Sequence, residues 1–225
     1  MIDLNTLENL GIKRIIDRGT GKVVAENDGA VLYFDSVSEG YFLVCDNEDS
    51  ALELLEQNKD LDIRLLSVTD AAIGSMIFEK YGFNEMMECY QLAYYGKAPE
   101  MNSSLNFRWA DENDLPVLIE HYDLVSEEEL ATIVERKAML LGYKDNELVG
   151  FIGEHLEGGM GLLLVFPEHR RNGYAEELEK AYIKHTIDRG FVTFGQVVTD
   201  NEASLKLQEK LGFDKSVNTI VWMWK

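Results

Sequence analysis

The sequence predicts a mixed α/β (α+β) fold made of two similar units in tandem, each a mixed, mostly antiparallel sheet flanked by helices. The first observation is a repeat, because residues 68–83 and 198–213 are identical at seven of sixteen positions without a gap, where chance would give about one. The second is that each repeat leads into a strand that changes from polar to aromatic, at Cys89–Tyr95 and Thr219–Trp224. An internal duplication is the simplest interpretation. The alternative is two halves that merely share a strand–helix–strand ending.

The repeat predicts two domains joined by a polar linker that contains Pro99. The first domain spans residues 1–96, the linker spans residues 97–104, and the second domain spans residues 105–225. With 225 residues, the chain is long enough to bury a substantial core. The elements predicted for the second domain are a strand at Leu105–Trp109, a helix capped by residues 111–114, a capping box at Ser126–Glu129 and a hairpin of Ala138–Tyr143 and Leu148–Glu154.

The charge of the chain is strongly negative, with 21 Lys and Arg against 41 Asp and Glu and a formal net charge of −20. Such a surface repels nucleic acid and anionic membranes, so we expect neither as a partner. The same surface would attract a cationic acceptor such as an amine, although the charge could serve solubility alone.

Membrane segments, targeting signals and metal sites are not predicted. No apolar run approaches the length of a membrane span, and residues 1–5 lack the basic and apolar regions of a signal peptide, so we expect a cytoplasmic protein. Cys45 and Cys89 have no metal-ligand spacing, and the four histidines are scattered. We therefore expect no metal cofactor.

One segment of the second half, residues 162–175, combines a strand, a basic loop and a helix start. The apolar run ends at Pro167, and Arg170, Arg171 and Gly173 follow before an amphipathic helix. Helix N-termini present unpaired backbone N–H groups and a partial positive charge. Arginine adds donors that suit phosphate oxygens, and glycine lets the backbone approach an anion closely. The pattern predicts a phosphate site, although an ordinary strand-to-helix connection with two surface arginines would look the same.

The spacing Arg170-x-x-Gly173-x-Ala175 resembles the acyl-CoA loop of the GNAT superfamily of N-acetyltransferases. Farther along the chain, Asn201 opens a helix that closes with Lys-x-Gly-Phe, and this second motif resembles the same family in the same order. Residues 105–225 resemble a GNAT domain throughout. Two such units in tandem look most like the glycine N-acyltransferase-like branch.

The first half lacks the phosphate-binding features at the equivalent place. Its predicted strand, Tyr41–Cys45, leads into a loop with Asp46, Glu48 and Asp49 but no arginine or glycine, and carboxylates repel phosphate. Ala71 also stands where the second half has its helix-opening asparagine. We expect this unit to be degenerate, so that it does not bind CoA and is structural or shapes the acceptor pocket.

The resemblance implies direct acyl transfer from acetyl-CoA, or another acyl-CoA, to the amine of a small molecule or amino acid. A backbone N–H near Val165 or Phe166 would polarise the thioester carbonyl. Asn201 would contact the pantetheine arm, and Ser204 belongs to the same expected cofactor-binding set. The diphosphate would lie against Arg170, Arg171, Asn172, Gly173, Tyr174 and Ala175.

Glu154 and His155 are the expected acid–base residues, because they end the strand beside the one that holds the thioester. Strand alternation directs them to opposite faces, so at most one faces the pocket directly. Glu154 is favoured as the base, although a solvated strand end is an equal alternative. Many GNAT enzymes protonate the leaving thiolate with a tyrosine five residues before the phenylalanine of Gly-Phe. This chain has Gln208 there, which cannot act as an acid.

Two other functions stay open at this point. The chain could be a catalytically silent acyl-CoA-binding sensor or interaction protein, which keeps the phosphate loop without the acid–base pair. It could also be a structural protein that binds no CoA. A duplicated chain can imitate within itself the pairing seen in GNAT dimers, so we favour a monomer over a homodimer.

Overall fold

The computed structural model of the protein describes residues 3–225. Residues 1 and 2, part of the segment in which no signal peptide is expected, lie outside the described residues. The α-helices are α1 (Leu10–Asp17), α2 (Glu48–Gln57), α3 (Ala71–Tyr81), α4 (Leu115–His121), α5 (Glu127–Glu135), α6 (Tyr174–Asp188) and α7 (Glu202–Leu211). The strands are β1 (Gly21–Glu26), β2 (Ala30–Asp35), β3 (Tyr41–Cys45), β4 (Leu65–Val68), β5 (Glu85–Tyr94), β6 (Asn106–Trp109), β7 (Met139–Lys144), β8 (Glu147–Glu154), β9 (Met160–Val165), β10 (Thr193–Val198) and β11 (Asp214–Trp224).

The strands form two sheets, with the orders β1-β2-β3-β4-β11-β5-β10 and β6-β7-β8-β9. β3 and β4 are parallel, whereas the pairs β1–β2, β2–β3, β4–β11, β5–β11, β6–β7, β7–β8 and β8–β9 are antiparallel. The predicted fold class, mixed and mostly antiparallel sheets flanked by helices, is therefore confirmed.

The chain divides into two compact units that do not follow the sequence order. Unit 1 consists of the residues up to Ala93 with Gln196–Lys206 and Asp214–Lys225, and unit 2 consists of Tyr94–Gly195 with Leu207–Phe213. The predicted boundary at residues 97–104 concerns the repeat in the sequence, and it stays a prediction. The sheets do not follow the two halves of the sequence, because β10 and β11 of the second half lie in the same sheet as β1–β5.

In unit 1, the last strand of the chain is inserted between two strands of the first half. Val221 of β11 lies opposite Val68 of β4 on one side and opposite Glu88 of β5 on the other. Gly74 of α3 packs directly on this strand, since a Cβ at Gly74 would collide with the side chain of Val221. The apolar face of β11 thereby completes the core that α2 and α3 cover.

The repeated segments adopt the local structure that the sequence predicted. Val68 ends β4 and Val198 ends β10, and a helix follows each strand. Gly82 and Gly212, at the ends of these helices, have left-handed φ values of 68° and 86°, as terminal glycines commonly do. The duplication itself remains an interpretation, because a shared local structure can also arise without it.

Unit 2 contains the four-stranded sheet β6–β9. Helices α4 and α5 cover one face through a core that includes Leu118, Ile133 and Phe151, and α6 packs on β7, β8 and β9. The predicted hairpin forms with Asp145 and Asn146 in its turn, both at positive φ (51° and 68°), which a two-residue type I′ turn requires.

The capping box predicted at the start of α5 forms only in part. The hydroxyl of Ser126 accepts a hydrogen bond from the amide of Glu129 at 3.1 Å, as expected. The carboxylate of Glu129 instead lies 3.9 Å from Nδ1 of His155. A second partner on β8 therefore competes for the side chain that would complete the box.

Candidate functional site

Strand β9, which leads into the basic loop, contains a β-bulge near its middle. Phe151 pairs with Leu164 and Gly153 pairs with Gly161, so β9 has one residue more than β8 between these pairs. Leu162 takes up the irregularity with a φ of 50°, a rare value for a non-glycine residue. Bulges re-aim backbone groups and are common beside functional sites.

β9 is an edge strand of its sheet, and its amides near the loop point in alternate directions. The amide of Phe166 donates to the carbonyl oxygen of Val149 at 3.0 Å, so it is already used. Val165 forms the next pair, with Gly150, and alternation in an antiparallel ladder turns its N–H away from β8. Of the two residues expected to polarise a thioester, Val165 alone has its amide at the open edge.

The loop after β9 is held by its own hydrogen bonds. Pro167–His169 forms a 3₁₀ turn, in which the amide of His169 donates to the carbonyl of Phe166 at 2.9 Å. The side-chain amide of Asn172 donates to the carbonyl of His169 at 3.0 Å. Nε of Arg170 donates to the carbonyl of Val165 at 3.1 Å, so this guanidinium lies against the end of β9.

Gly173 is the N-cap of α6 and has a φ of 84°. A Cβ built there would have no heavy atom within 4 Å. The left-handed backbone, rather than lack of space within the protein, is therefore the feature that favours glycine. Arg171, two residues earlier, also has a positive φ of 66°. These two left-handed residues turn the chain sharply just before the first turn of α6.

The backbone amides of this turn have no acceptor within the part of the chain that the structure describes. The amides of residues 171–175 donate to no carbonyl or side chain, and the first helical bond runs from the amide of Glu177 to the carbonyl of Gly173 at 3.2 Å. Five unpaired donors, the helix dipole and two arginines converge here. This arrangement suits a polyanion such as a diphosphate. We call residues 170–175 the basic turn.

Two carboxylates in the first turn of α6 are bound by other residues. Glu176 accepts hydrogen bonds from Nζ of Lys180 at 2.7 Å and Nζ of Lys210 at 2.6 Å, and these two bonds lower its pKa. Glu177 accepts from the Ser103 hydroxyl at 2.6 Å and the Ser104 amide at 2.7 Å. Burial raises the pKa of Glu177, but its hydrogen bonds outweigh burial and lower it overall. The charge of Glu176 is thus balanced by two lysines, whereas Glu177 keeps its negative charge among neutral donors.

Asn201 and Ser204, the remaining expected cofactor-binding residues, lie in unit 1 at the start of α7. The side-chain oxygen of Asn201 accepts a hydrogen bond from the amide of Ser204 at 3.1 Å. This contact makes Asn201 a cap of α7. Their role towards a cofactor stays a prediction.

Glu154 ends β8 and His155 follows it, and the two side chains have different neighbours. Glu154 is 6% exposed, and one of its oxygens accepts a hydrogen bond from Nη1 of Arg189 at 3.3 Å. It lines a polar pocket of about 270 Å³ together with Arg136, Lys137, Ala138, His185 and Arg189. The carboxylate of Glu154 is thus already paired with Arg189 inside this pocket.

His155 lies against β9 on the other face. A Cβ at Gly161 would lie 2.5 Å from Nε2 of His155, so the imidazole covers the residue that precedes Leu162. Burial lowers the pKa of His155, but the nearby carboxylates of Glu129 and Glu157 raise it more, so the net shift is upward. The structure therefore brings His155, rather than Glu154, next to the bulge.

Sequence reasoning missed the side chain that faces Gln208. Nε2 of Gln208 donates to Oε1 of Glu179 at 2.7 Å, and both side chains are buried. Burial raises the pKa of Glu179 to about 8. The signal was available, because Glu179 lies four residues before the buried Ile183 on the same stripe of an amphipathic helix.

Within the described residues, no group of three or more His, Cys, Asp or Glu could hold a metal ion. In the same part of the chain, no helix is long and apolar enough to cross a membrane. Burial raises the pKa of both cysteine thiols, Cys45 and Cys89, to about 12, so neither thiol is a reactive nucleophile near neutral pH.

The sequence comparisons match the part of the chain that carries the basic turn. Residues 140–223 match the family model described as FR47-like protein. An uncharacterized N-acetyltransferase of Bacillus subtilis strain 168, YoaA, is 39% identical over 77 residues, which cover 31% of this chain and 43% of YoaA. The match thus spans less than half the length of this curated relative.

The structural comparisons extend over nearly the whole chain. A Drosophila protein of known structure superposes with a TM-score of 0.74 at 16% identity, covering 98% of this chain and 90% of that one. A GCN5-related N-acetyltransferase from Kribbella flavida has a TM-score of 0.61 at 11% identity, covering 97% and 94%. A tandem GNAT protein of clavulanic acid biosynthesis has a TM-score of 0.50 at 13% identity, covering 96% and 87%. At these identities the likeness establishes the fold.

Proposed function

We propose that this chain is a member of the GNAT superfamily of N-acetyltransferases, and that it transfers an acyl group from acetyl-CoA or another acyl-CoA to the amine of a small molecule or amino acid. The matches to the FR47-like family model and to YoaA support this proposal. The observation that carries the proposal is the basic turn. Its unpaired amides, from Arg171 to Ala175, form a site for the diphosphate of CoA at the start of α6.

Electrostatics supports an anionic donor at this one place. The chain has a net charge of −20, so a polyanion is repelled by most of its surface. In the basic turn, Arg170 and Arg171 add two positive charges to the partial charge of the helix end, and Glu176 is paired with two lysines. These charges favour a diphosphate at this turn.

The thioester would lie along the open edge of β9. The amide of Val165 would donate to the thioester carbonyl, and this hydrogen bond strengthens as negative charge develops on the oxygen. The amine nitrogen forms a bond to the carbonyl carbon, the carbon–sulfur bond breaks, and the electron pair leaves with sulfur as the CoA thiolate. Much of the rate gain would come from holding amine and thioester together.

The attacking amine also gives up one proton. We assign this proton to the neutral imidazole of His155, which lies over Gly161 beside the bulge. Glu129, 3.9 Å from Nδ1, would stabilise the imidazolium that forms. Glu154 does not take the proton in this scheme, since it is paired with Arg189 at 3.3 Å.

The direct test measures binding and turnover separately. Calorimetry with CoA should give one site per chain, and release of the CoA thiol should depend on an added amine. The double variant Arg170→Ala with Gly173→Asp should abolish both signals while the fold, followed by circular dichroism, persists. Absence of CoA binding to the wild type would overturn the proposal, and binding without turnover across a broad amine panel would favour the silent-sensor alternative.

Four finer assignments are part of the same proposal. The chain is an internal duplication of the glycine N-acyltransferase-like type, with domains at residues 1–96 and 105–225. Its first half does not bind CoA. The whole chain acts as a cytoplasmic monomer. If calorimetry showed more than one CoA site per chain, this result would contradict the proposal that the first half is degenerate. Light scattering at twice the mass of the chain would contradict the monomer.

A further inference from the structure

Two adjoining pockets lie along the second half of α6, and the proposed acyl transfer uses neither of them. The first has a volume of about 450 Å³, which is enough for a small molecule. We call it the aromatic pocket, and the residues that line it include Leu105, Phe107, Trp109, Leu140, Ala181 and His185. The second, which we call the cationic pocket, is the one of about 270 Å³ that Glu154 lines. No residue of β9 or of the basic turn lines either pocket.

The two pockets are consecutive parts of one groove between α6 and the sheet. On α6, Ala181 borders the aromatic pocket, Arg189 borders the cationic pocket, and His185 borders both. These three residues are four positions apart, so they share one face of the helix. On the sheet side, Leu140 borders the aromatic pocket and Ala138 borders the cationic pocket. Residues two positions apart on an extended chain face the same side, so one ligand can contact both pockets.

The aromatic pocket has an apolar wall along the edge strand β6. Leu105, Phe107 and Trp109 are two residues apart, so their side chains share one face. Leu105 is buried, whereas Phe107 and Trp109 are only partly buried. The ring centres of Trp109 and His185 lie 4.4 Å apart. Two partly exposed rings beside an open pocket suit an aromatic ligand, because aromatic rings attract one another in addition to burying apolar area.

The cationic pocket has an excess of positive charge. Arg136, Lys137 and Arg189 line it together with a single carboxylate, that of Glu154. Glu154 pairs with Arg189 at 3.3 Å, whereas the side chains of Arg136 and Lys137 form no hydrogen bond or ion pair within residues 3–225. The C-terminal ends of α5 and α6 add about half a negative charge each. About one positive charge therefore remains, in a chain whose net charge is −20.

Lys137 stands at a position that usually suits glycine. It follows Arg136, the C-cap of α5, and its backbone has a left-handed φ of 57°. A side chain at such a position strains the backbone, which glycine would relieve. Residues with strained backbones concentrate at functional sites. Lys137 thus lowers the stability of the helix end while it adds a cation to the pocket.

His185, at the junction of the two pockets, suits contact with a carboxylate. Burial and the charge of Arg189 lower its pKa more than Glu154 and Asp188 raise it, so the imidazole is mostly neutral at pH 7. A neutral imidazole has one N–H donor, which a carboxylate can accept. Lys184 adds no net charge to the aromatic pocket, because it pairs with Asp188 at 2.6 Å.

We propose that this groove binds a small aromatic carboxylate: its ring packs against Phe107 and Trp109, and its carboxylate lies beside His185, facing Lys137 and Arg189. Arg189 keeps donors for this contact, since a guanidinium has five N–H groups. The site is separate from the thioester edge, because β6 and β9 are opposite edges of the four-stranded sheet. It does not depend on the proposed acyl transfer.

The experiment titrates the full chain, without CoA, with 3-phenylpropanoate and with 3-phenylpropan-1-ol, which has the same ring and spacer but no charge. Calorimetry should give one site for the carboxylate and an affinity about tenfold lower for the alcohol, the usual effect of losing hydrogen bonds to a charged group. The carboxylate should also change the tryptophan emission. Trp109→Phe should abolish this change, because Trp222 and Trp224 lie in unit 1.

Two further variants separate the two parts of the groove. Lys137→Gly should weaken the carboxylate about threefold, as expected for one exposed charge, and leave the alcohol unchanged. Its melting temperature should rise, so the loss cannot reflect unfolding. Ala181→Leu fills the aromatic pocket from a position where leucine suits a helix, and it should abolish the binding of both ligands. Lys59→Gln, at an exposed position in unit 1, is the control and should change neither affinity.

Three outcomes would each overturn the inference. They are a wild type that gives no saturable binding of the carboxylate, equal affinities for the carboxylate and the alcohol, and an Ala181→Leu variant that binds both as the wild type does. Because these titrations contain no CoA, failure of the proposed acyl transfer would leave their result unchanged.

Discussion

The amide of Phe166 donates to the carbonyl oxygen of Val149 at 3.0 Å, and this bond turns the preceding amide, that of Val165, towards the open edge of β9. Of these two adjacent amides, that of Phe166 is used within the sheet, whereas that of Val165 is available to a ligand. The available amide lies within ten residues of the helix end that offers five unpaired donors. A thioester and a diphosphate can therefore be served by one continuous stretch of backbone.

Val165→Pro should lower kcat about 10²-fold or more, the usual effect of losing one oxyanion donor. Proline removes the N–H, and at this edge position no ladder bond is lost, so the strand should tolerate it. The affinity for CoA should change little. Val165→Ala is the matched control, because it trims the side chain and keeps the amide. A proline variant as active as the alanine variant would exclude this amide from catalysis.

Gly173→Ala should lower CoA affinity and stability together, whereas Gly190→Ala should lower stability alone. Both glycines have left-handed backbones, with φ of 84° and 82°, and both have open space where a Cβ would be. The backbone strain should thus cost each variant about 1 kcal/mol of unfolding free energy. Only Gly173 precedes the donor amides, and Gly190 follows the other end of α6. Denaturant titration and calorimetry measure the two effects, and equal CoA affinities would contradict the role of the basic turn.

The raised pKa of Glu179 predicts that the free energy of unfolding depends on pH. Because burial raises the folded pKa from the ordinary value of 4.5 to about 8, the folded state holds a proton that the unfolded state releases between these values. The stability of the wild type should fall as pH rises through this window, by at most about 1.4 kcal/mol per pH unit. Glu179→Gln should therefore raise the melting temperature more at pH 8 than at pH 5. A constant difference between the two proteins would show that Glu179 is ionised throughout.

The sequence predicted the elements of the site better than its contacts. Local rules were sufficient for β9 and for the start of α6 after the loop, since each depends on neighbours within a few residues. The left-handed backbone of Gly173 was not predicted. The insertion of β11 between β4 and β5 was not predicted, because strand order depends on long-range pairing that no local pattern specifies. Glu179 was missed for a related reason. Its burial depends on Gln208, 29 residues away, and a lone glutamate on a helix is usually solvated.

The acid–base assignment also needed contacts that alternation cannot give. Alternation predicted that Glu154 and His155 face opposite sides of the sheet, but it could not say which of them lies near the bulge. The ion pair with Arg189 and the packing of His155 over Gly161 supply that information. Both contacts join residues whose closeness depends on how β9 and α6 pack on β8.

The pH dependence of turnover should identify His155 through its partner Glu129. Only the neutral imidazole can accept the proton of the amine, so kcat/KM should rise with pH through the pKa of His155. That pKa is lowered by burial but raised more by the nearby carboxylates of Glu129 and Glu157. Glu129→Gln removes one of these charges, and it should shift the rising limb to lower pH. His155→Ala should abolish the limb and lower kcat about 10²-fold.

Glu128→Gln, an exposed neighbour on α5, is the matched control and should leave the profile unchanged. All variants would be measured with one amine at one temperature, because ionisation of the amine adds the same limb to each profile. A limb that stays at the same pH in Glu129→Gln would assign it to the amine and remove His155 from the proposed mechanism.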